Sequence, residues 1–291
     1  MLARCVTILD ALHLRRGPSI ASLLAELSCP DARSRWKAAE ALAPYASAKR
    51  VAEALIDALS DSHPFVRWQA GKSLAQCRNE RTLALLETAL STRNSHCRSS
   101  VVDALGRLGD NRAAGPLCKA LESRSAEVRC SAAEALARLA DPTTFQKLRK
   151  AVGDSDAYVR RAVVTALGAI GSPQAVPELL PMLEDDSALV RASAAKALGR
   201  IADPRAAGPL QNALGDSDPG VRWHAADSLC TVGDPEALPF LSLLLVDKTE
   251  VFGVSIAEVA RCSIESIEQR KKSSMPSSAN ACRESVSDHS E

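Results

Sequence analysis

Aromatic residues are scarce in this chain: three Trp, two Tyr and four Phe stand among 291 residues. Single-stranded nucleic acids are held by rings stacked along a basic groove, so this scarcity argues against them as ligands. Positive charge is not in excess either. Lys and Arg number 36 against 35 Asp and Glu, a formal net charge of +1, which gives no bulk attraction to nucleic acid or to an anionic membrane. No run approaches the roughly 18 apolar residues that a membrane-spanning helix needs. None of the nine cysteines forms a C-x-x-C pair, and an odd number cannot all be paired internally. They read as reduced thiols of a cytoplasmic protein. The opening "MLARCVTILDALHLRRGPS" breaks its apolar run with Asp10 and places Arg15 and Arg16 after it, the reverse of a secretory signal. No G-x-S-x-G, P-loop or G-x-G-x-x-G motif occurs, so no catalytic residue, metal or cofactor is expected.

What is present is Ala, Leu and Val, repeated. The strongest helix formers dominate a chain that is 46% apolar, and small side chains let helices approach closely. A Val-Arg pair recurs every 31 residues: Val66-Arg67, Val128-Arg129, Val159-Arg160, Val190-Arg191 and Val221-Arg222, with Cys97-Arg98 in the same register. A Leu follows each Val position by eight residues (Leu74, Leu105, Leu136, Leu167, Leu198, Leu229). A second Leu column runs through Leu86, Leu117, Leu148, Leu179, Leu210 and Leu241. A fixed period of this length is the mark of a helical repeat array.

Each copy reads as helix, tight turn, helix. Val159, Val163, Ala166, Leu167 and Ile170 make one buried stripe at helical spacing. Gly171 ends it, and an Asp-Pro or Ser-Pro pair follows: Asp141-Pro142, Ser172-Pro173, Asp203-Pro204 and Asp234-Pro235. Asp or Ser at the N-cap accepts bonds from free amides, and Pro in the first turn loses none. A second helix of about ten residues is expected to run to Leu183. The prediction is an all-α superhelix of about eight helix pairs, spanning on the order of 70 to 80 Å. Residues 1–30 read as a degenerate capping repeat, 31–245 as the array, 246–271 as capping helices and 272–291 as a disordered tail.

The string D-x-D-x-x-V-R-x-x-A-A-x-A-L-G-x-I-x-D-P-x-A-x-x-x-L-x-x-x-L, best kept at 154–183, 185–214 and 216–245, resembles the HEAT-like repeats of the phycobilin lyase type. The resemblance covers about 31–245 and implies a function among bilin lyases and phycobiliprotein chaperones, a di-iron hydroxylase, or adaptors without catalysis. The hydroxylase branch holds its metals with His-Glu dipeptides. His13, His63, His96, His224 and His289 are the histidines here, and none precedes Glu. The aromatic-rich start of many lyase subunits is absent too, with Trp36 and Tyr45 alone in that region.

Three sets of residues are candidates for function or for bracing. The ladder Arg67, Arg98, Arg129, Arg160, Arg191 and Arg222 reads as structural, each guanidinium bonding a carbonyl or one of the recurring Asp61, Asp154, Asp185 and Asp216. Trp36, Trp68 and Trp223 each follow such an Arg, roughly opposite the apolar stripe, and form a candidate aromatic patch for a partner. By analogy with other solenoids the second helices line a concave face. Lys119, Arg149, Lys150, Leu180, Pro181 and Leu243 there would suit a protein segment. The leading expectation is thus a non-enzymatic scaffold for a protein partner. A bilin lyase subunit or phycobiliprotein chaperone, with a phycobiliprotein or bilin as partner, is the alternative that the resemblance implies.

Overall fold

The computed structural model describes residues 18–77, 79–91 and 95–274. Residues 1–17, most of the expected first capping pair, and 275–291, most of the expected tail, lie outside the described residues. The chain divides into two compact units, Met1–Ala166 and Leu167–Glu291.

The first unit holds α1 (Ile20–Glu26), α2 (Ala32–Ala41), α3 (Lys49–Asp57), α4 (Pro64–Leu74), α5 (Glu80–Ala89), α6 (Ser95–Leu108), α7 (Ala114–Ala120), α8 (Ala126–Leu139), α9 (Phe145–Ala151) and most of α10 (Ala157–Ile170). The second unit begins within α10. It contains α11 (Val176–Leu179), α12 (Ala188–Ile201), α13 (Ala207–Ala213), α14 (Pro219–Val232), α15 (Leu238–Leu243) and α16 (Ile256–Ser274). In the first unit α2, α4, α6 and α8 pack in succession, and α3, α5 and α7 lean on α4, α6 and α8. In the second unit α12, α14 and α16 pack in succession, with α13 on α14 and α15 on α16.

The repeat columns are the core. Leu74, Leu105, Leu136, Leu167, Leu198 and Leu229 are fully buried, as are Leu86, Leu117, Leu148, Leu179, Leu210 and Leu241. Cys97 is buried in the Val column, where it serves as a small apolar residue. A glycine column sets the distance between successive first helices. A Cβ on Gly168 would come within 2.6 Å of the Ala197 Cβ and 2.8 Å of its Cα. Gly106 meets Ala135 in the same way, so both crossings need a residue without a side chain.

The turn inside each copy is more structured than the sequence implied. Asp141, Ser172, Asp203 and Asp234 do accept a bond from the amide two residues on, but each caps a one-turn 3₁₀ helix that precedes the second α-helix. The second helices of these copies are therefore shorter than the expected ten residues, and α11 has only four. Pro181 is the reason: it offers no N–H to the helix and its ring crowds the preceding turn, so the chain passes into a 3₁₀ turn at Pro181–Glu184.

Residues 246–271, expected as capping helices, hold a hairpin as well as a helix. Glu250–Val251 and Val254–Ser255 pair as a small antiparallel hairpin before α16. Its turn residues, Phe252 and Gly253, both have positive φ (55° and 80°), as tight two-residue hairpin turns require. The helix α16 runs to Ser274.

Candidate functional site

The arginine ladder lies at the junctions between copies. Arg129 on α8 donates from Nε and Nη2 to Asp154 at 2.7 and 2.8 Å, while its Nη1 donates to the carbonyls of Ser123 and Arg124. One guanidinium thus fastens the loop before its own helix to the equivalent loop of the next copy. Arg191 does the same with Asp216, and Arg222 with Asp247. Nearer the N-terminus, Arg35 and Asp61 keep the motif at a separation of 26 residues in place of 25. Each of these aspartates also accepts from the backbone amide two residues on, which shapes the loop. The Arg129 guanidinium holds the Asp154 carboxyl below the usual carboxylate range, and Arg191 does so for Asp216. Arg67 and Arg160 bond the carbonyls of their own loops through Nη1.

Arg98 departs from this pattern. Twenty-five residues beyond it, where Asp154 stands to Arg129, the chain has Ser123. Ser123 keeps the loop bond, accepting from the Ser125 amide at 3.3 Å, but it is too short and uncharged to clamp a guanidinium. The Nε of Arg98 is buried without a hydrogen-bond partner among the described residues. Such an unmade bond costs about 1 to 3 kcal/mol. Arg98 lines a cleft of about 620 Å³ in the first unit, together with Lys119, Glu87, Glu122 and Ser123. From its spacing alone the ladder reads as uniform. The signal for the break is present in the sequence: the aspartate column reads Thr at 92 and Ser at 123.

Trp36 and Trp68 do come together. With His63, Phe65, Ala32 and Arg33 they line a mainly apolar pocket of about 390 Å³. Its position follows from the loop before α4, where Pro64 starts the helix and His63 stands at the N-cap. Phe65, in the first turn, is then left 67% exposed. Trp68 is 42% exposed, with the Lys72 ammonium 5.1 Å and the Arg107 guanidinium 5.6 Å from its ring centroid. These cations hold the ring in place from within the first unit. The His63 Nδ1 is buried and has no hydrogen-bond partner among the described residues. Phe65 and His63 were missed from sequence because neither lies in the Trp column. Trp223 is not part of this pocket: it belongs to the second unit and packs edge-on against His224 and Phe252, at 5.0 and 5.9 Å between centroids. Burial among these rings lowers the His224 pKa.

Lys119, Arg149 and Lys150 are exposed on α7 and α9 of the first unit. In the second unit Leu180 is half-buried, Pro181 is exposed and Leu243 is 73% exposed. No group of three or more His, Cys, Asp or Glu among the described residues is placed to hold a metal ion. No described helix is long and apolar enough to cross a membrane.

The profile of the HEAT repeats matches residues 20–94, 66–123, 115–193 and 176–256, and the chain belongs to this family. The fold is accordingly an all-α helical-repeat fold. Among solved structures it is similar to Escherichia coli YibA, at 19% identity with a TM-score of 0.61, over 87% of this chain and 93% of that one. Kap95p, from a complex with RanGDP, matches at 14% identity and a TM-score of 0.60 over 85% of this chain and 40% of Kap95p. A structure of the CpcE–CpcF complex of phycocyanin lyase from Nostoc sp. PCC7120 matches at 25% identity and a TM-score of 0.43, over 87% of this chain and 97% of that chain. A search of curated proteins gives no match.

Proposed function

We propose that this protein is a non-enzymatic HEAT-repeat scaffold that captures a protein partner, with the Trp36–Phe65–Trp68 pocket as its anchor point. The observation that carries this reading is the concentration of rings. In a chain with so few aromatics, three of them and His63 surround one apolar cleft, and Phe65 stands mostly in water. Aromatic side chains flanked by Arg are the usual composition of an interface hot spot, and a cleft of this size accepts one large apolar side chain. Exposed Lys119, Arg149 and Lys150 in the first unit, and Pro181 and Leu243 in the second, give each unit further surface for an extended segment. Kap95p, a protein of similar fold, is seen in complex with RanGDP, which supports a partner-binding reading. The seven described cysteines carry no disulfide, in keeping with work in the reducing cytoplasm.

The test is recovery of the partner from source lysate with wild-type and Phe65→Asp baits. Phe65 contributes little to the core, so helical circular dichroism should be unchanged while recovery falls about tenfold or more. Equal recovery would reject the pocket as the anchor. Adding an open-chain tetrapyrrole to the purified protein addresses the bilin alternative. The scaffold reading expects no co-eluting pigment, and pigment passed on to an apo-phycobiliprotein would replace it.

A further inference from the structure

We propose that the cleft beside Arg98 is a docking site for an acidic side chain of a partner polypeptide, whose carboxylate completes the rung that the chain leaves unfinished there. The chain supplies the template for this ligand. At four junctions an aspartate sits in the fork of the ladder arginine, with N–O distances of 2.7 to 3.0 Å. At the Arg98 junction Ser123 takes the aspartate's place, and the Arg98 Nε is buried with no hydrogen-bond partner among the described residues. Where the aspartate is missing, a cleft of about 620 Å³ opens with Arg98 in its wall and Lys119 beside it. A carboxylate entering this cleft meets two cations. Nε–H and a terminal N–H of the fork would then take both oxygens, as in the complete rungs.

The acidic groups of the cleft do not fill the role. Glu122 is held by Lys147 at 2.8 Å, and Glu87 lines the wall without a bond to the Arg98 Nε. Leu90 and Pro116 in the same wall give an aliphatic neighbour of the acidic residue something to rest against, which favours a polypeptide over a free ion. This site deepens the scaffold reading, since it names the chemistry of the segment that the scaffold would hold.

The experiment follows the Arg98 Nε–H signal by nitrogen-15 NMR, assigned with Arg98→Lys, in the full chain. The probe is the end-blocked peptide Ala-Leu-Asp-Leu-Ala, compared with Ala-Leu-Asn-Leu-Ala and with acetate. The Asp peptide should move the signal toward the positions of Arg129 and Arg191, and the Asn peptide should bind about tenfold more weakly or worse. Ser123→Asp should place the signal there without any peptide and abolish the response, because it restores the rung from within. No shift with the Asp peptide, an equal shift with the Asn peptide, or a response that survives Ser123→Asp would each overturn the proposal. A response to acetate alone would reject the polypeptide source. A signal displaced by Glu87→Gln would show that the chain's own acid fills the site, which also overturns it. The probe is a defined peptide, so its failure counts against this site alone. Failure of the aromatic anchor is read separately from the lysate capture with Phe65→Asp.

Discussion

Ala140 and Ala202 hold positive φ, 49° and 54°, at the end of α8 and α12. They share a column with Gly109, Gly171 and Gly233, all at positive φ, which marks the place where each first helix must turn left-handed to release the chain. For an L-residue that conformation costs roughly 1 to 2 kcal/mol, while Gly pays about 0.5 to 1 kcal/mol in unfolded-state entropy. Ala140→Gly and Ala202→Gly should therefore each raise stability by about 0.5 to 1 kcal/mol, seen as a higher urea midpoint at unchanged slope. A loss of stability would mean that the alanine methyls pack better than their exposure suggests. At this scale the buried columns were legible in sequence, because a Leu at a fixed period has one place to go. The left-handed alanines were hidden behind residues whose usual preference is the helix.

The element scale is set by the rungs that join one copy to the next. Arg129 and Asp154 are 15% and 11% exposed, so their bidentate pair is shielded from solvent. Removing one partner leaves the other charge uncompensated, and Asp154→Asn should cost about 2 to 4 kcal/mol. The pH dependence has a definite sign. Asp154 and Asp216 have depressed pKa values in the folded chain, through their bonds to Arg129 and Arg191. The unfolded chain therefore takes up protons first. The stability these groups contribute is complete above the unfolded carboxylate pKa of about 3.9 and is lost as pH falls through the lower folded values. Thermal melts between about pH 5 and pH 2 should show the wild type losing stability more steeply than Asp154→Asn. Parallel curves would show that the rung contributes nothing to linkage. The sequence showed both columns of this ladder but not who partners whom. That depends on a 25-residue reach between loops, and the Ser at 123 became informative only once the partner was visible. Pro181 and the Phe252-Gly253 turn are similar cases: the residues were in plain view, but their effect on the helix and the hairpin depended on neighbours.

For the molecule as a whole, stability is a sum of repeats and their junctions, so a surface can change without disturbing distant copies. Such an architecture suits a scaffold, whose work is done by the side chains it presents. The period, the helix pairs and the meeting of Trp36 with Trp68 could all be read from the sequence. Phe65 and His63 entered through the loop before α4, which no periodic pattern describes. The central claim is that the pocket around Phe65 meets another protein. Its most direct test is a photo-crosslinking residue, benzoyl-phenylalanine, placed at position 65 in the source cell and compared with the same residue at exposed Glu268. A discrete adduct with one protein is expected from position 65 and none from position 268. No adduct, or the same adducts from both positions, would contradict it.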